Sequence, residues 1–334
     1  MKKGDSMQMI RRKYLVTGGA GFIGSHLAEG LLERGYKVTV LDNLENSIAD
    51  PDLDQNSQLS FVKGSVTDRS LVRELVAEHD AVFHLAAMLG VKTTMTHTIE
   101  MVQNNLAGTS IILEEAMRTG KKVVFASTSE VYGKGEPPFS ENMDLRFGNT
   151  TKLRWSYALG KSLEECLCLA YGRKKLPITI VRYFNIFGPR QKDGSYGGVV
   201  SRFIKAALTG EDLLVYGDGS QTRSFTYVSD AVEGTIRCLE EKADQEIFNV
   251  GSRNEITILG LATKIKNLTK SSSNIVHIPF DKVYPHGFEE IPKRSPDINK
   301  IETILQYEPQ VKLEQGLKES IGWYRRKLAR GELS

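Results

Sequence analysis

The sequence has few cysteines, no long hydrophobic run and almost no charge imbalance, and each shortage excludes a class of protein. Its three cysteines, Cys166, Cys168 and Cys238, are too few and odd in number for a disulfide-stabilised fold. We therefore expect buried free thiols in a reducing compartment. No apolar segment approaches the roughly 20 residues that span a bilayer, and residues 1–13 lack the apolar core of a secretion signal. A cytoplasmic protein without a membrane partner is predicted.

The charges and histidines exclude two further classes of function. Lysine and arginine number 44 against 41 aspartates and glutamates, which leaves a formal net charge of only +3. Such a balance gives no basic surface for a nucleic-acid partner. The histidines are scattered without the spacing of metal ligands, so we predict no metal site and assign structural roles to His26, His79, His84, His97, His277 and His286.

Hydrophobic periodicity predicts an α/β fold. Short β-rich runs alternate with helical patterns in the first half of the chain; the runs are 14–17, 37–41, 59–63, 81–84, 123–126 and 178–182. The helical patterns are 25–34, 69–78, 101–118 and 155–174. This alternation is typical of a doubly wound parallel Rossmann sheet with helices on both faces. Glycines and prolines, Gly194 and Gly197 among them, divide the chain after residue 185, and 279–296 is predicted to be a loop.

Two domains follow from this change of pattern. We predict a Rossmann domain at 11–185, with later returns to its sheet such as 225–250. A smaller, interleaved C-terminal subdomain, mainly 186–334, is predicted to cap the sheet and bind substrate. No internal repeat or low-complexity segment interrupts either part.

A glycine-rich turn follows the first predicted strand. Gly18, Gly21 and Gly24 have the spacing G-x-x-G-x-x-G, and Phe22 and Ile23 lie at the start of the next helix. Glycines keep such a turn tight and let the backbone approach a pyrophosphate closely. The helix then offers its N-terminal N–H groups and its dipole to the negative charge. This pattern predicts a dinucleotide cofactor in the 11–185 domain.

Asp42 ends the second predicted strand, about twenty residues after the glycine turn, where dinucleotide-binding folds place an acid against the ribose. A carboxylate there accepts hydrogen bonds from the 2′-hydroxyl and repels a 2′-phosphate. No lysine or arginine follows within 43–50. The cofactor is therefore predicted to be NAD rather than NADP, and a plain turn residue is the alternative interpretation of Asp42.

Tyr157 and Lys161 are four residues apart in the 155–174 helical pattern, so both side chains project from one face. A phenol has an unperturbed pKa near ~10, and we expect the lysine ammonium and a nicotinamide cation to lower the pKa of Tyr157. The phenolate would then take a proton from an alcohol as hydride leaves. A solvated helix face is the alternative, weakened here by the preceding dinucleotide motif and by 126–133.

With these motifs in order, the sequence resembles the extended short-chain dehydrogenase/reductase family, in its nucleotide-sugar epimerases, dehydratases and decarboxylases. The resemblance covers nearly the whole chain and rests on 17–24, 84–87, 105–109, 127–133, 157–161, 182–190 and 217–230. It implies a Rossmann fold, NAD as cofactor and a nucleotide-diphosphate sugar as substrate. It also implies a homodimer through the helices 101–118 and 155–174.

The resemblance implies roles for individual residues. Thr128 would bind the sugar 4-hydroxyl beside Tyr157, and Lys161 would hold the nicotinamide ribose. The implied cofactor-binding residues are Gly18, Gly21, Phe22, Ile23, Gly24, Asp42, Asn43, Ser65, Val66, Leu85, Ala86, Ala87 and Asn105. Ser65 departs from the family, which commonly has an aspartate facing the adenine at that turn. The implied substrate-binding residues are Lys92, Asn185, Arg190, Arg223 and Arg294.

Oxidation at C4 of a hexose creates a ketone with three fates: 4-epimerisation, dehydration across C5–C6, or loss of carbon dioxide from a C6 carboxylate. Glu130 places a carboxylate where dehydratases and decarboxylases of the family have one and 4-epimerases commonly have a non-acidic residue. Such a glutamate can act as a base provided that apolar walls raise its pKa. Ser129 stands where hexose 4,6-dehydratases typically have an aspartate. The Ser129–Glu130 pair resembles the UDP-glucuronate decarboxylases.

Decarboxylation also calls for a cation near the sugar carboxylate, and the candidates are Lys92, Arg182 and Arg294. The sequence thus predicts NAD-dependent modification of a nucleotide-diphosphate sugar through a 4-keto intermediate, with lyase chemistry at C5–C6 by decarboxylation or dehydration. The alternative is a UDP-sugar 4-epimerase. A non-catalytic NAD-binding regulator is a remote alternative because Tyr157 and Lys161 are both present, and a simple alcohol dehydrogenase would accumulate NADH.

Overall fold

The structure, a computed structural model, describes residues 12–45, 56–192, 198–284 and 288–332. Several features of the sequence lie outside the described residues: the N-terminal 1–11, with Arg11 at the predicted domain start, part of the stretch after Asp42 at 46–50, Gly194, Gly197 and His286.

Seven parallel strands form the central sheet, in the order β11-β6-β5-β4-β1-β2-β3. The strands are β1 (Lys13–Thr17), β2 (Lys37–Asp42), β3 (Leu59–Lys63), β4 (Ala81–His84), β5 (Lys122–Thr128), β6 (Ile178–Tyr183) and β11 (Glu246–Val250). The order reverses between β1 and β4, which is the topological switch point of a Rossmann sheet. The predicted fold class is confirmed, and every predicted strand lies within one residue or two of an observed one.

Helices cover both faces of this sheet. They are α1 (Phe22–Glu33), α2 (Arg69–Glu78), α3 (Val91–Thr96), α4 (Thr98–Thr119), α5 (Ser156–Arg173) and α7 (Val228–Arg237). Strand alternation explains the two layers: Tyr14 and Val16 pack into the core that contains α1 and α7, whereas Leu15 between them packs into the core beneath α2, α4 and α5. A sheet buried on both faces requires such continuous apolar strands.

The later part of the chain forms short strands and four more helices. The strands are β7 (Ile186–Phe187), β8 (Leu213–Tyr216), β9 (Thr222–Ser224), β10 (Thr226–Tyr227), β12 (Glu255–Thr257), β13 (Ile275–Ile278) and β14 (Lys293–Arg294). The helices are α6 (Val199–Thr209), α8 (Ile258–Thr269), α9 (Asn299–Leu305) and α10 (Leu313–Ala329). Because β11 pairs with β6, the chain returns to the central sheet from this region. The exact division into 11–185 and 186–334 stays a prediction.

Two sequence predictions are wrong in detail. The stretch 279–296 is not all loop, because it contains β14, which pairs with β9 so that Arg294 lies opposite Arg223. The partner strand is about 70 residues away, so no local pattern reveals it. The thiols are not all buried either: Cys166 is exposed while Cys168 and Cys238 are buried. Cys166 projects from α5 toward solvent, and Cys168, two residues later, projects toward the core.

In the described parts of the chain, no helix is both long and apolar enough to cross a bilayer.

Candidate active site

A cleft of about 1120 Å³ lies at the carboxyl ends of the central strands, at the switch point between β1 and β4. All predicted cofactor residues line it: Gly18, Gly21, Phe22, Ile23, Gly24, Asp42, Asn43, Ser65, Val66, Leu85, Ala86, Ala87 and Asn105. The same cleft is lined by Thr128, Ser129, Glu130, Tyr157, Lys161, Lys92, Asn185 and Arg294. One cavity therefore joins the predicted cofactor and substrate sites.

The glycine turn has the geometry of a pyrophosphate cradle. Gly18 has a φ of +70°, which favours glycine, and a Cβ there would lie 2.7 Å from the backbone nitrogen of Ala86. A Cβ on Gly24 would lie 2.2 Å from the carbonyl oxygen of Gly18. Helix α1 begins after Gly21 without a side-chain cap, so its first N–H groups are available to an anion. The residues present fit a dinucleotide.

Asp42 is held by the backbone on both sides of its carboxylate. Its Oδ2 accepts from the N–H of Ala20 at 3.0 Å, and its Oδ1 accepts from the N–H of Leu44 at 2.8 Å. These bonds join the end of β2 to the glycine turn and fix the carboxylate at the cleft wall. An oxygen with a free lone pair can then accept from a ribose hydroxyl.

We predict that Asp42→Asn weakens NAD binding about tenfold, because an amide has one acceptor oxygen and would turn its NH₂ toward a backbone N–H. Titration of the purified protein with NAD by calorimetry measures this. The matched control is Asp68→Asn, since Asp68 caps α2 through the N–H of Leu71 outside the cleft. An unchanged NAD affinity in Asp42→Asn would remove Asp42 from the cofactor site.

Tyr157 and Lys161 both face the cleft from α5. The Nζ of Lys161 donates to the carbonyl oxygen of Ala126 and to Oε2 of Glu164, each at 3.2 Å. Burial and then the charges of Glu130 and Glu164 raise the pKa of Tyr157, so Lys161 alone does not lower it as expected. Sequence reasoning missed Glu164, which pairs with the ammonium of Lys161. The lowering expected from a nicotinamide cation stays a prediction.

Glu130 lies among arginines. Its Oε2 accepts from Nη1 of Arg154 at 2.8 Å, and its Oε1 lies 3.8 Å from Nη1 of Arg294. Burial alone would raise the pKa of Glu130, but Arg154, Arg294 and Arg223 outweigh burial and lower it to about 2. The condition for a base, apolar walls that raise the pKa, is therefore not met, and the arginines favour the anionic form of Glu130.

Arg154 was missed as a site residue, although its position three residues before Tyr157 is a usable signal.

Three predicted cations do not line the cleft. Arg182 is buried and donates to both carboxylate oxygens of Glu165. Arg190 is paired with Glu29 on α1. Arg223 is paired with Glu290 behind Arg294. Each of these arginines is drawn to a carboxylate that no sequence spacing reveals.

The far end of the cleft has residues that sequence reasoning did not identify. Gly198 precedes α6 without a side-chain cap, and Lys192 lies beside it in the cleft lining. The guanidinium of Arg202 stacks 4.0 Å from the ring centre of Tyr216, and its Nε is buried without a partner. No carboxylate pairs with Arg202 within the described ranges. Tyr284 also lines this end of the cleft, and its ring centre lies 5.8 Å from that of Tyr216.

Together these groups put positive charge and an uncapped helix start beside two aromatic rings, a combination that suits an anion. No cluster of three or more histidines, cysteines, aspartates or glutamates with metal-site geometry occurs among the residues that the structure describes.

Comparisons with known proteins agree with this architecture. Residues 14–251 match the NAD dependent epimerase/dehydratase family. The chain is 57% identical to the UDP-N-acetyl-alpha-D-glucosaminuronate decarboxylase of Bacillus cytotoxicus, over 95% of this chain and 98% of that protein. It is 36% identical to the UDP-glucuronic acid decarboxylase 1 of Danio rerio, over 95% of this chain and 74% of that protein.

A solved structure shares the fold. The UDP-glucuronic acid 4-epimerase of Bacillus cereus, in complex with UDP-glucuronic acid and NAD, superposes with a TM-score of 0.83 and is 31% identical. The match covers 94% of this chain and 99% of that one. NAD is thus the cofactor, as predicted from the glycine turn and Asp42. The fold, the cleft and these matches show that the chain belongs to the NAD-dependent epimerase/dehydratase family, within the extended short-chain dehydrogenases/reductases.

Proposed function

We propose that this enzyme decarboxylates a UDP-linked uronic acid, UDP-N-acetyl-α-D-glucosaminuronate. The observation that carries the proposal is the arginine cluster around Glu130, which lies in the same cleft as Tyr157 and Lys161. The identity of 57% to a decarboxylase of that substrate supports the 2-acetamido sugar over UDP-glucuronic acid.

The cluster has an excess of positive charge. Arg154, Arg223 and Arg294 act on Glu130, and Glu290 is the only other carboxylate that pairs with them among the described residues. Three guanidinium groups against two carboxylates leave one positive charge in a buried region. Arg294 lines the cleft and is the member that presents this charge to a ligand. A sugar carboxylate is an anion that matches it.

The first chemical stage uses α5 and the end of β5. Thr128 and Tyr157 line the cleft together, so the 4-hydroxyl of a bound sugar can be placed between them. Tyr157 takes the proton of that hydroxyl, and Lys161 holds the ribose of the cofactor. Bound NAD supplies the hydride acceptor and later returns the hydride, so no net NADH accumulates.

Loss of carbon dioxide follows from the ketone. The C5–C6 bond breaks, its electron pair moves through C5 to the C4 oxygen, and C5 is then protonated from water. This stage needs no base, and Glu130, with a pKa of about 2, cannot serve as one near neutral pH. Dehydration would need a base at C5 and an acid at C6, where Ser129 is a poor acid. The electrostatics therefore favour decarboxylation over dehydration.

The uncapped start of α6, Lys192 and Arg202 support binding of the diphosphate, and Tyr216 and Tyr284 support stacking of the base. Asn185 also lines the cleft, and its Nδ2 donates to the carbonyl oxygen of Ser224 at 2.8 Å. With the nucleotide at this end, the sugar would extend toward Tyr157.

The test is mass spectrometry after the purified protein is incubated with NAD and each of UDP-N-acetylglucosaminuronate, UDP-glucuronate and UDP-N-acetylglucosamine. We expect loss of carbon dioxide, fastest with the first and absent with the third. Substrate labelled with ¹³C at C6 must release labelled carbon dioxide. Loss of water, or an unchanged mass with both uronates, would contradict decarboxylation.

A 4-epimerase is the second candidate, because the structurally similar B. cereus enzyme is named for that reaction on UDP-glucuronic acid. It predicts an unchanged mass and an inverted C4, visible by NMR in the same incubations.

We further propose a homodimer through α4 and α5, which pack on each other. Leu163 and Met117 leave apolar area exposed on these helices, with exposed fractions of 49% and 37%.

A cytoplasmic location is also proposed, supported by three cysteines that are all free.

A further inference from the structure

A buried chain of hydrogen bonds connects the glycine turn to Lys161. The N–H of Ala86 donates to Oγ1 of Thr17 at 3.2 Å, and that hydroxyl lies 2.8 Å from Nδ1 of His84. On the other side of the ring, Nε2 of His84 lies 3.1 Å from Oγ1 of Thr109. Thr109 then donates to Oε2 of Glu164 at 2.6 Å.

The direction of the chain is fixed at Glu164. Since Thr109 gives its proton to the carboxylate, its oxygen accepts from Nε2–H of His84. Burial, and then the charge of Lys161, lower the pKa of His84 to about 3, which favours a neutral ring. In that neutral ring Nδ1 accepts from Thr17.

Glu164 has no role in the chemistry described above, yet it is almost completely buried, with an exposed fraction of 1%. Its Oε2 receives both Thr109 and the ammonium of Lys161. Burying a carboxylate costs folding free energy unless it is paired. The pairing with Lys161 is therefore what allows Glu164 to be buried in the site.

The other charged and titratable groups around this pair come from four elements. They are Tyr157 and Cys168 on α5, His84 on β4, Glu130 after β5, and Glu165 on α5 with Arg182 on β6. His84 is neutral and Glu165 is neutralised by Arg182. Glu164 is therefore the charged group that acts directly on Lys161 and, through it, on Tyr157.

We propose that Glu164 is a positioning residue that cancels the charge of Lys161, so that Tyr157 loses its proton only when the oxidised cofactor brings its own positive charge. With Glu164 present, the cleft beside Tyr157 contains an ion pair of zero net charge. Without it, the ammonium of Lys161 would stand there alone. Oxidised NAD, whose ring is cationic, then meets less repulsion than it would beside an uncompensated lysine. The proposal concerns the oxidation stage that any substrate of this cleft must undergo.

Glu164→Gln tests this with binding alone. The amide keeps an oxygen for Thr109 and Lys161 but removes the charge. We expect the ratio of the dissociation constants of NAD and NADH to rise about tenfold, since one unit charge near the pocket acts on the oxidised ring only. Fluorescence titration measures both constants without any sugar, so the result does not depend on the proposed function. An unchanged ratio in the folded variant would overturn the proposal.

Activity gives a second readout. The acid limb of the pH profile of kcat/KM should move about one pH unit lower in Glu164→Gln, because the phenolate of Tyr157 no longer faces that carboxylate. Glu164→Asp should restore the limb, and Thr109→Val, which keeps the charge and removes the hydrogen bond, should leave the limb within about 0.3 units. Equal shifts in Glu164→Gln and Thr109→Val would mean a structural effect and would also overturn the proposal.

The unsubstituted protein provides a measurement if Glu164→Gln does not fold. NAD binding at neutral pH should release protons, detected by calorimetry in buffers of different ionisation enthalpy, and Tyr157→Phe should release fewer. Equal proton release by both proteins would contradict the coupling.

Discussion

Tyr157→Phe is expected to lower turnover about 10³-fold while NAD binding stays within about twofold of the original, since a general base contributes 10²–10⁴ in rate. The substitution removes one oxygen from a half-buried ring and leaves its packing volume nearly unchanged. Tyr157 is the group in the cleft that can take the proton of a sugar hydroxyl, because Lys161 is bonded to Ala126 and Glu164 and Glu130 is bonded to Arg154. Release of carbon dioxide and a fluorescence titration with NAD measure the two effects.

Tyr14→Phe is the matched control. Tyr14 is buried in the same domain, packs edge-on against Tyr36 and Phe83, and lies outside the cleft. Its loss of a hydroxyl should leave turnover nearly unchanged. If Tyr157→Phe retained more than about a tenth of the rate, the proton acceptor would have to be another group, and the assignment of α5 as the catalytic helix would be lost with it.

The periodic part of the sequence predicted the fold because each strand and helix carries its own pattern. The run at 59–63 and the helix at 69–78 match β3 and α2 at both ends. Helix α1 begins at Phe22, three residues before the helical pattern 25–34, because the glycine turn leads directly into the helix. The glycine motif, rather than the periodicity, predicted this start.

The cofactor half of the site was predictable for the same reason. The strand, the glycine turn, the helix start and Asp42 are consecutive in the chain, so their positions in space follow from one supersecondary unit. The substrate half was not, because it depends on pairings between distant segments. Arg294 reaches Glu130 only because β14 pairs with β9, and Glu164 is linked to His84 through Thr109 only because α4 and α5 pack side by side.

Electrostatic predictions failed where a second charge was hidden. Glu130 would act as a base only if apolar surroundings raised its pKa, and Arg154 lowers that pKa instead. The pKa of Tyr157 was expected to fall beside Lys161 and a nicotinamide cation, but burial, then Glu130 and Glu164, raise it, and Glu164 pairs with the ammonium. In both cases sequence reasoning identified the titratable group and missed a countercharge whose orientation only the packed structure fixes.

The same hidden countercharge makes Glu130→Gln the second variant with a large expected effect. The carboxylate lies 2.8 Å from Nη1 of Arg154, whose side chain is only 5% exposed. Loss of the carboxylate leaves the buried guanidinium of Arg154 without its countercharge, which costs roughly 3–5 kcal/mol in the free energy of unfolding. Turnover should fall about 10²-fold, because the arginine that faces the cleft loses the anion that fixes it.

The stability loss should depend on pH in a defined direction. The pKa of Glu130 is lowered from 4.5 to about 2 in the folded protein, so its contribution is complete above the unfolded pKa and is lost as the pH falls toward 2. Chemical unfolding at pH 7 and pH 3 measures this: the difference in unfolding free energy between the original protein and Glu130→Gln should be largest at pH 7 and clearly smaller at pH 3.

Glu114→Gln separates this effect from the general loss of an ion pair. Glu114 pairs with Arg69 on the surface, with exposed fractions of 41% and 49%, so its removal should cost less than about 1 kcal/mol in the free energy of unfolding. A small, pH-independent cost in Glu130→Gln, equal to that of Glu114→Gln, would mean that the arginine cluster does not depend on Glu130. The excess positive charge of the arginines, which we propose binds the sugar carboxylate, would then have no fixed position. The proposal of decarboxylation would lose its structural support in this cleft.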